Sequence, residues 1–431
     1  MASVDATVEE LLAIAEREIA SQQGAPGIVV GATSRSDERI EGCGRTNVDH
    51  PLAVTPDTMY QLASISKVVT AHATVTLAAD GVIDLDAPLT RHLPELKSPE
   101  AADITLRHLL SHTAGRPGDF ELDTGRGDDA LELLLPEFDG LPQWLAPGRA
   151  MTYSNLGYAM VGVTLARATR TPFETLVRDV VLAPLGMDAT AFFLEDVVFR
   201  RWAAGHVAKD GAPAVAPWWR PRNRCANGGL LAPMTDVLAL GRAHLTSVPE
   251  GMADPVAPIA PGTRQCLGWR RVESEGAWAL SHGGITPGYA ALMFAAPTAD
   301  LAIAALINAT PAVAVIRELS EAMAAAVGVA RPKPVSRPVE TVDVAALEGE
   351  YHGYPQGALR IMSRADELWL TASPPDGDEA SRLSILSPRG ADVIEFQATD
   401  GRYSGTHLAT ADVGESRPWL RLGARLLRRV S

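Results

Sequence analysis

Apolar and polar positions recur with two different periods along this chain, and the change of period divides it. Residues 27–43 read as two strands around a polar turn, and residues 278–307 read as several more, their apolar runs YAALMFAA and LAIAALI broken at Pro297 and Asp300. These strands are expected to share one sheet. Between them the helical period takes over at residues 64–80, 106–111, 157–169, 173–181 and 235–245, joined by Pro/Gly-rich loops, so the middle should be largely helical. The amino end, MASVDATVEELLAIAERE, has the spacing of an amphipathic helix, and residues 318–327 look like the helix that closes this first unit. Then ARPKPVSRPVET packs three prolines and four charges into a structure-poor run. Beyond it come short strand-like pieces (LEGEYHG, ALRIMS, ELWLTA, RLSILS, VIEFQAT, WLRLGARLLRR) at turn-punctuated intervals, the pattern of a small antiparallel barrel or sandwich. The expected domains are 1–330, a Pro-rich linker 331–341, and 342–431, with no internal repeat.

Composition narrows what such a chain can do. Its 431 residues exceed one compact core, and 46% hydrophobic with 21% charged residues excludes a disordered, collagen-like or coiled-coil protein. A net charge of −14 repels phosphate backbones and anionic lipid alike, so no nucleic acid partner is expected. Apolar runs such as residues 301–307 fall well short of the roughly 20 residues a bilayer span needs, so no membrane partner is expected either. Cys43, Cys225 and Cys266 are odd in number and far apart, which suggests neither a disulfide framework nor a zinc site and fits a reducing compartment. No basic, uninterrupted apolar leader is visible at the amino end, so a cytoplasmic location is expected.

Chemistry enters through a lysine. The chain carries 34 arginines and four lysines, at 67, 97, 209 and 333, so a lysine kept where arginine would serve invites a reason. Lys67 stands three residues after Ser64 in LASISKVVTAHATV, the only S-x-x-K in the sequence. On a helix beginning near Ser64 the two are surface neighbours, and the hydroxyl lies at the positive end of the helix dipole. A desolvated ammonium can lose its proton and take one from serine; a guanidinium cannot. The plain alternative is an N-cap serine followed by a surface lysine, and the spacing alone leaves both open.

Two further motifs follow in order. APGRAMTYSNLGYAMVGV places Tyr153, Ser154 and Asn155 before an apolar helix, 89 residues after Ser64, and SHGGITPGY places His282, Gly283 and Gly284 ahead of the strand YAALMF. With these the sequence resembles the serine β-lactamase and penicillin-binding-protein superfamily, especially its class C, D,D-peptidase and esterase branch, across about residues 25–327; ITLRHLLSHTAG, NGGLLAPMTDVLALG, CLGW and LINAT look like family segments too. The resemblance implies an α+β, β-lactamase-like fold, an antiparallel sheet flanked by helices plus an all-helical subdomain, followed here by a small all-β, lipocalin-like barrel. It implies that Ser64 attacks an acyl carbonyl, that Lys67 relays its proton, and that Tyr153 is partner base or the acid for the leaving group. Asn155 would hold the substrate amide and orient Lys67. The amides of Ser64 and Ile285 would form the oxyanion hole, while Gly283 and Gly284 would let substrate backbone approach. His282 stands where many β-lactamases have lysine, a departure that leans toward peptidases and esterases.

Other features read more plainly. His108 and His112 are four apart on a helix, but HLLSH lacks the zincin glutamate and a third ligand, so a structural role is expected and no metal or organic cofactor. The loop APWWRPRN offers Trp218 and Trp219 as a substrate-facing wall. The tail arginines Arg421, Arg425, Arg428 and Arg429 read as solvated strand positions, unless one of the last three reaches the substrate. The leading functional expectation is a cytoplasmic serine hydrolase acting on a small-molecule or peptide acyl substrate, an amide or ester, including one with a D-configured residue. The second is a penicillin-binding-protein-type thioesterase that releases and macrocyclises a nonribosomal peptide, with a carrier protein as partner and a second-domain arginine reaching toward the peptide. The third is a non-catalytic binder or sensor on the same fold. The sequence does not choose an oligomeric state.

Overall fold

The computed structural model describes residues 2–21, 24–120, 122–218, 221–260, 262–310, 312–330, 336–337, 347–353, 357–364, 367–373, 381–386, 395–398, 407–411, 419–422 and 424–430. One eight-stranded antiparallel sheet organises the first unit, in the order Glu38–Gly44, Gly27–Thr33, Leu301–Ile307, Tyr289–Ala296, Ala277–Thr286, Arg270–Ser274, Thr263–Gln265, Ala257–Ala260. Both faces of its centre are covered, which is why Gly27–Thr33 and Leu301–Ile307 are apolar throughout rather than alternating. Alternate residues still part company: Ile28, Val30, Ile303 and Ala305 pack toward the helices Val4–Ser21 and Val313–Ala326. Val29, Ala304 and Leu306 pack toward Met234–Thr246 and the helical region beyond it. Each fully buried Val, Leu or Ile side chain among these contributes about 1.5–3 kcal/mol.

That helical region positions the chemistry. Asn155–Thr169 is buried nearly all round; its N-cap, Ser154, accepts from the Gly157 amide at 2.9 Å, and it stops at Arg170 in the left-handed region, φ 54°. At Gly162 a β-carbon would stand 2.8 Å from that of Ala226, so glycine there lets the short Cys225–Gly228 helix close onto it. Ser66–Ala79 lies alongside, apolar on its core faces.

The carboxy-terminal strands run antiparallel to one another in chain order, from Gly349–Gly353 through Gly357–Arg364, Glu367–Ser373, Ser381–Leu386, Glu395–Ala398, His407–Ala411 and Trp419–Leu422 to Arg425–Arg429. The last pairs back onto the first, Tyr351 opposite Arg429, and closes the ring; Ser336–Arg337 adds to Ser381–Leu386. Leu347, Tyr351, Ile361, Leu368, Leu370, Leu420 and Leu427 form its core. The turn before Arg425–Arg429 is bound to the first unit. Tyr153 N–H donates to Ala424 O at 2.9 Å, Leu426 N–H to Thr152 Oγ1 at 3.2 Å, and Arg421 to Met151 O at 2.9 Å, while Trp419 stands edge-on to Trp144.

Several expected boundaries shift. Ser64 is not in an α-helix but in a 3-10 turn, Ala63–Ile65, ahead of Ser66–Ala79, because Ala63 takes φ 48°, which breaks the helical path. The tyrosine-motif helix starts at Asn155 rather than 157, since Ser154 caps it. Residues 173–181 hold α geometry only over Phe173–Val177 and then loosen into a π turn. The closing helix begins at Val313, and His407–Ala411, which carries no strand signal beyond Leu408 and Thr410, is a strand. Of the linker, residues 331–335 and 338–341 lie outside the described residues.

Candidate active site

Ser64 is held in a turn that its neighbours pin on both sides. Leu62 N–H donates to Leu230 O at 3.0 Å; Ser66 Oγ donates to Ala63 O at 2.7 Å and accepts from Leu230 N–H at 3.0 Å. Buried Ala63 at positive φ is a local strain that only such surroundings hold in place. Strand Ala277–Thr286 passes hard against this turn: a β-carbon on Gly284 would lie 2.3 Å from Leu62 O and 2.9 Å from Ser64 N. Glycine at 284 is thus required by the protein's own backbone, and it sets the strand bearing Ile285 beside the Ser64 amide. Gly283 has no such constraint, its nearest neighbours being at 3.5 and 3.6 Å. The outer edge of this strand pairs with Arg270–Ser274 over Ala277 to Ser281.

Lys67 is fully buried, and its Nζ lies 3.2 Å from Ser64 Oγ, 2.7 Å from Asn155 Oδ1 and 2.5 Å from Asn227 O. Burial pushes its pKa well below the ordinary lysine value; Asp119 opposes the shift, and Arg425, Arg224 and Arg270 reinforce it. A neutral amine has two N–H bonds and one lone pair. The two carbonyl oxygens take the N–H bonds, and the lone pair is left for the Ser64 hydroxyl. On the other side of Ser64, Tyr153 OH donates to Oγ at 2.8 Å. Burial pushes the phenol up to about 12, outweighing the hydrogen bond to Ser64 and the cations Arg270 and Arg425, so Tyr153 rests as a neutral acid rather than a phenolate.

Asn155 links this group to residues the sequence did not single out. Its Nδ2 donates to Asp119 Oδ1, and Asp119 Oδ2 accepts from Arg425 Nε at 2.5 Å. Gly118 makes the approach: a β-carbon there would run into Ser154 Oγ, and Leu156 N–H donates to Gly118 O at 2.7 Å. Arg425 also lies over the Tyr153 ring, 5.1 Å from its centroid. Arg421 and Arg425 therefore face the first unit rather than solvent, because the docked turn carries them inward. Arg428 is exposed above Trp419, and Arg429 sits opposite Tyr351 in the ladder.

His282 is buried; its Nδ1–H donates to Gly283 O at 2.8 Å, and burial with nearby Arg270 and Lys67 holds it neutral, well below 6.5. His112, which sequence assigned a structural role, accepts from Ser154 N–H through Nδ1 at 3.1 Å and stacks 4.3 Å from the Tyr153 ring, while His108 completes a capping box with Thr105. Among the described residues, no group of three His, Cys, Asp or Glu side chains is arranged to hold a metal. Trp218 stands edge-on to Trp202 and lines a cleft of ≈550 Å³ with Phe192, Phe193, Val198, Arg222 and Gly229; Trp219 lies outside the described residues. Asp119, Asn227 and Arg270 went unread because each is close to Ser64 only through the fold. Asn227 alone left a trace, inside the family-like segment NGGLLAPM.

Fold and site together are those of a serine hydrolase of the β-lactamase and penicillin-binding-protein type. The family model for beta-lactamase matches residues 4–327, and the chain belongs to this family. It is 30% identical over 327 residues to penicillin-binding protein 4 of Amycolatopsis lactamdurans, covering 70% of this chain and 86% of that protein. To esterase EstB of Burkholderia gladioli it is 32% identical over 211 residues, 44% of this chain and 51% of the esterase. Among solved structures, SurE is alike in fold over 99% of this chain and 100% of its own, with a TM-score of 0.79 at 24% identity; SurE with D-Leu gives 0.77.

Proposed function

We propose that the chain is a serine acyl-transfer enzyme that forms an acyl-Ser64 intermediate from a peptide amide or ester and releases it to water. One observation carries this reading: a single hydroxyl lies 3.2 Å from a fully buried amine and 2.8 Å from a buried phenol. Ser64 Oγ attacks the carbonyl as its proton passes to the Lys67 lone pair. Tyr153, still protonated, gives a proton to the leaving group, and the proton that Lys67 took from Ser64 then restores the phenol, so that Lys67 and Tyr153 are both neutral again in the acyl-enzyme. The amides of Ser64 and Ile285 receive the oxyanion. Asn155 holds the substrate amide and Lys67, and Gly283 leaves room for substrate backbone. Neutral His282 offers an acceptor nitrogen in place of a lysine cation, which supports a peptidase or esterase over a β-lactamase. The likeness of fold to SurE with D-Leu supports a D-configured residue in the substrate, and in this reading Trp218 offers a bulky substrate group the aromatic wall of the ≈550 Å³ cleft that it lines. In this reading the closed carboxy-terminal ring is a lipocalin-like barrel. Three free cysteines support work in the cytoplasm.

A second reading is favoured by Arg425: a cation from the carboxy-terminal ring stands at the site, as expected of a thioesterase that cyclises a carrier-bound nonribosomal peptide. The test has two stages. A fluorophosphonate should label Ser64 in the parent protein and not in Ser64→Ala; equal labelling of both would overturn the acyl-enzyme. Peptide esters, amides and thioesters with D- or L-residues are then followed by mass. Linear acid supports the hydrolase, and cyclic product from the thioester supports the second reading.

A further inference from the structure

Arg425 is 306 residues from Asp119 in sequence, and it belongs to a different domain from Ser64. Yet an unbroken line of hydrogen bonds joins it to Lys67: Arg425 Nε to Asp119 Oδ2 at 2.5 Å, Asp119 Oδ1 to Asn155 Nδ2, and Asn155 Oδ1 to Lys67 Nζ at 2.7 Å. Asp119 is nearly buried, 9% exposed. The turn carrying Arg425 is tied to residues 151–153, through Met151 O, the Thr152 hydroxyl and the Tyr153 amide. Both Nε and Nη2 of Arg425 lie on one carboxylate oxygen at 2.5 Å, so in the resting site this guanidinium is bound to Asp119.

Resting on the acyl-transfer reading above, we propose that Arg425 and Asp119 are positioning residues: the ion pair between domains fixes Asn155 and offsets the Asp119 charge, and so keeps Lys67 able to accept the Ser64 proton. The groups facing Lys67 are Asp119, Arg425 of the carboxy-terminal ring, Arg224 of the 3-10 turn Arg222–Arg224, Arg270 at the end of its strand, the tyrosines Tyr153 and Tyr158, and neutral His112 and His282. Asp119 is the one anion among them. Its carboxylate favours the ammonium form, and Arg425 is the cation in contact with it. If Arg425 is removed, Asp119 loses the cation in contact with it, Lys67 holds its proton to higher pH, and the rising limb of acylation against pH moves alkaline. The carboxy-terminal domain is then part of the machinery even for a substrate too small to touch it.

The test is the rate of Ser64 labelling by a small fluorophosphonate between pH 5 and 10. The parent is compared with Arg425→Gln, Arg425→Lys, Asp119→Asn and the double variant Arg425→Gln/Asp119→Asn, each checked by its thermal unfolding. Expected for Arg425→Gln is an alkaline shift of about one pH unit, hence about tenfold slower labelling on the rising limb. Arg425→Lys, which keeps the charge, should shift by less. The double variant should recover most of the lost rate, because the charge that Arg425 opposed is gone as well. Parental labelling by Arg425→Gln with loss confined to peptide substrates would make Arg425 a substrate contact and overturn the proposal. So would slower labelling with an unmoved pH profile and no recovery in the double variant, the mark of a purely structural role. Failure of the parent itself to label would instead overturn the acyl-transfer reading on which this one stands.

Discussion

Adding one methyl group at Gly284 tests how the site is assembled. A β-carbon there would stand 2.3 Å from Leu62 O, 2.9 Å from Ala63 Cβ and 2.9 Å from Ser64 N. Such contacts scarcely occur below 3.0 Å, so strand and turn must separate by about 0.7 Å along the first of these directions. Neither can give cheaply. Leu62 is fastened to Leu230, and the strand is laddered to Tyr289–Ala296 through Gly284 opposite Ala291 and Ile285 opposite Ala290. A displacement of that size takes the Ile285 amide out of range of an oxyanion on the carbon that Ser64 attacks. Loss of one such donor costs about 2.7–4 kcal/mol of transition-state stabilisation, about 10²–10³ in rate. Gly284→Ala should therefore label with a small fluorophosphonate about 10²-fold or more slowly than the parent. Gly283→Ala is the internal control, since its β-carbon would meet Ala291 O and Leu292 Cδ2 only at 3.5 and 3.6 Å, ordinary contact distances. It should fold normally and label within a few-fold of the parent. Labelling rates and melting temperatures measured side by side decide the matter. If Gly284→Ala labels like Gly283→Ala, the reasoning that ties the strand to the Ser64 turn is wrong.

Two further outcomes follow from the same geometry. Lys67→Arg should lower Ser64 labelling by about 10²–10⁴-fold, since a guanidinium keeps its proton; activity within a few-fold of the parent would contradict the proton transfer. Acid should destabilise the protein early, because burial holds His72 at about 4, His244 at about 3, and His112 and His282 well below 6.5. Below about pH 6.5 the unfolded chain takes up protons that the folded chain refuses. Stability is therefore fully present above that pH and falls toward the folded values, at about 1.4 kcal/mol per pH unit per histidine. A melting temperature that stays flat from pH 7 to 5 would refute this.

How far the sequence carried can be seen residue by residue. Ser64, Lys67, Tyr153 and Asn155 could be picked out together because each lies in a short motif whose spacing and order carry meaning, and the fold brings them within hydrogen-bond distance. The sheet was legible through its long apolar runs. The turn at Ala63 was not: Leu62, Ala63 and Ile65 have the hydrophobic spacing of a helix, and only the tertiary ties to Leu230 and Gly284 hold Ala63 at φ 48°. Asp119 and Arg425 were illegible as partners, because an ion pair spanning 306 residues leaves no local period. The tail arginines read as solvated since charged side chains in short terminal strands ordinarily face water; docking of the Ala424 turn on Tyr153 covers part of them. Gly284 was noticed for the substrate, whereas its neighbours show that the protein's own backbone needs the space first.

The excess of arginine over lysine acquires a physical meaning at this site. Arg224, Arg270 and Arg425 keep their charges near Lys67, and each makes a proton on the Lys67 amine less welcome. Burial acts in the same direction on Lys67 and His282 and, with opposite chemical sign, on Tyr153: amine, imidazole and phenol are all driven to their neutral forms. A proton can then pass from Ser64 to Lys67 and on toward the leaving group with no resting ion to neutralise first. The first new negative charge in the cleft is the oxyanion itself, formed where fixed arginine charges outnumber the single Asp119 carboxylate. Lys67 is thus a cation whose proton burial removes, and the arginines around it add to that removal.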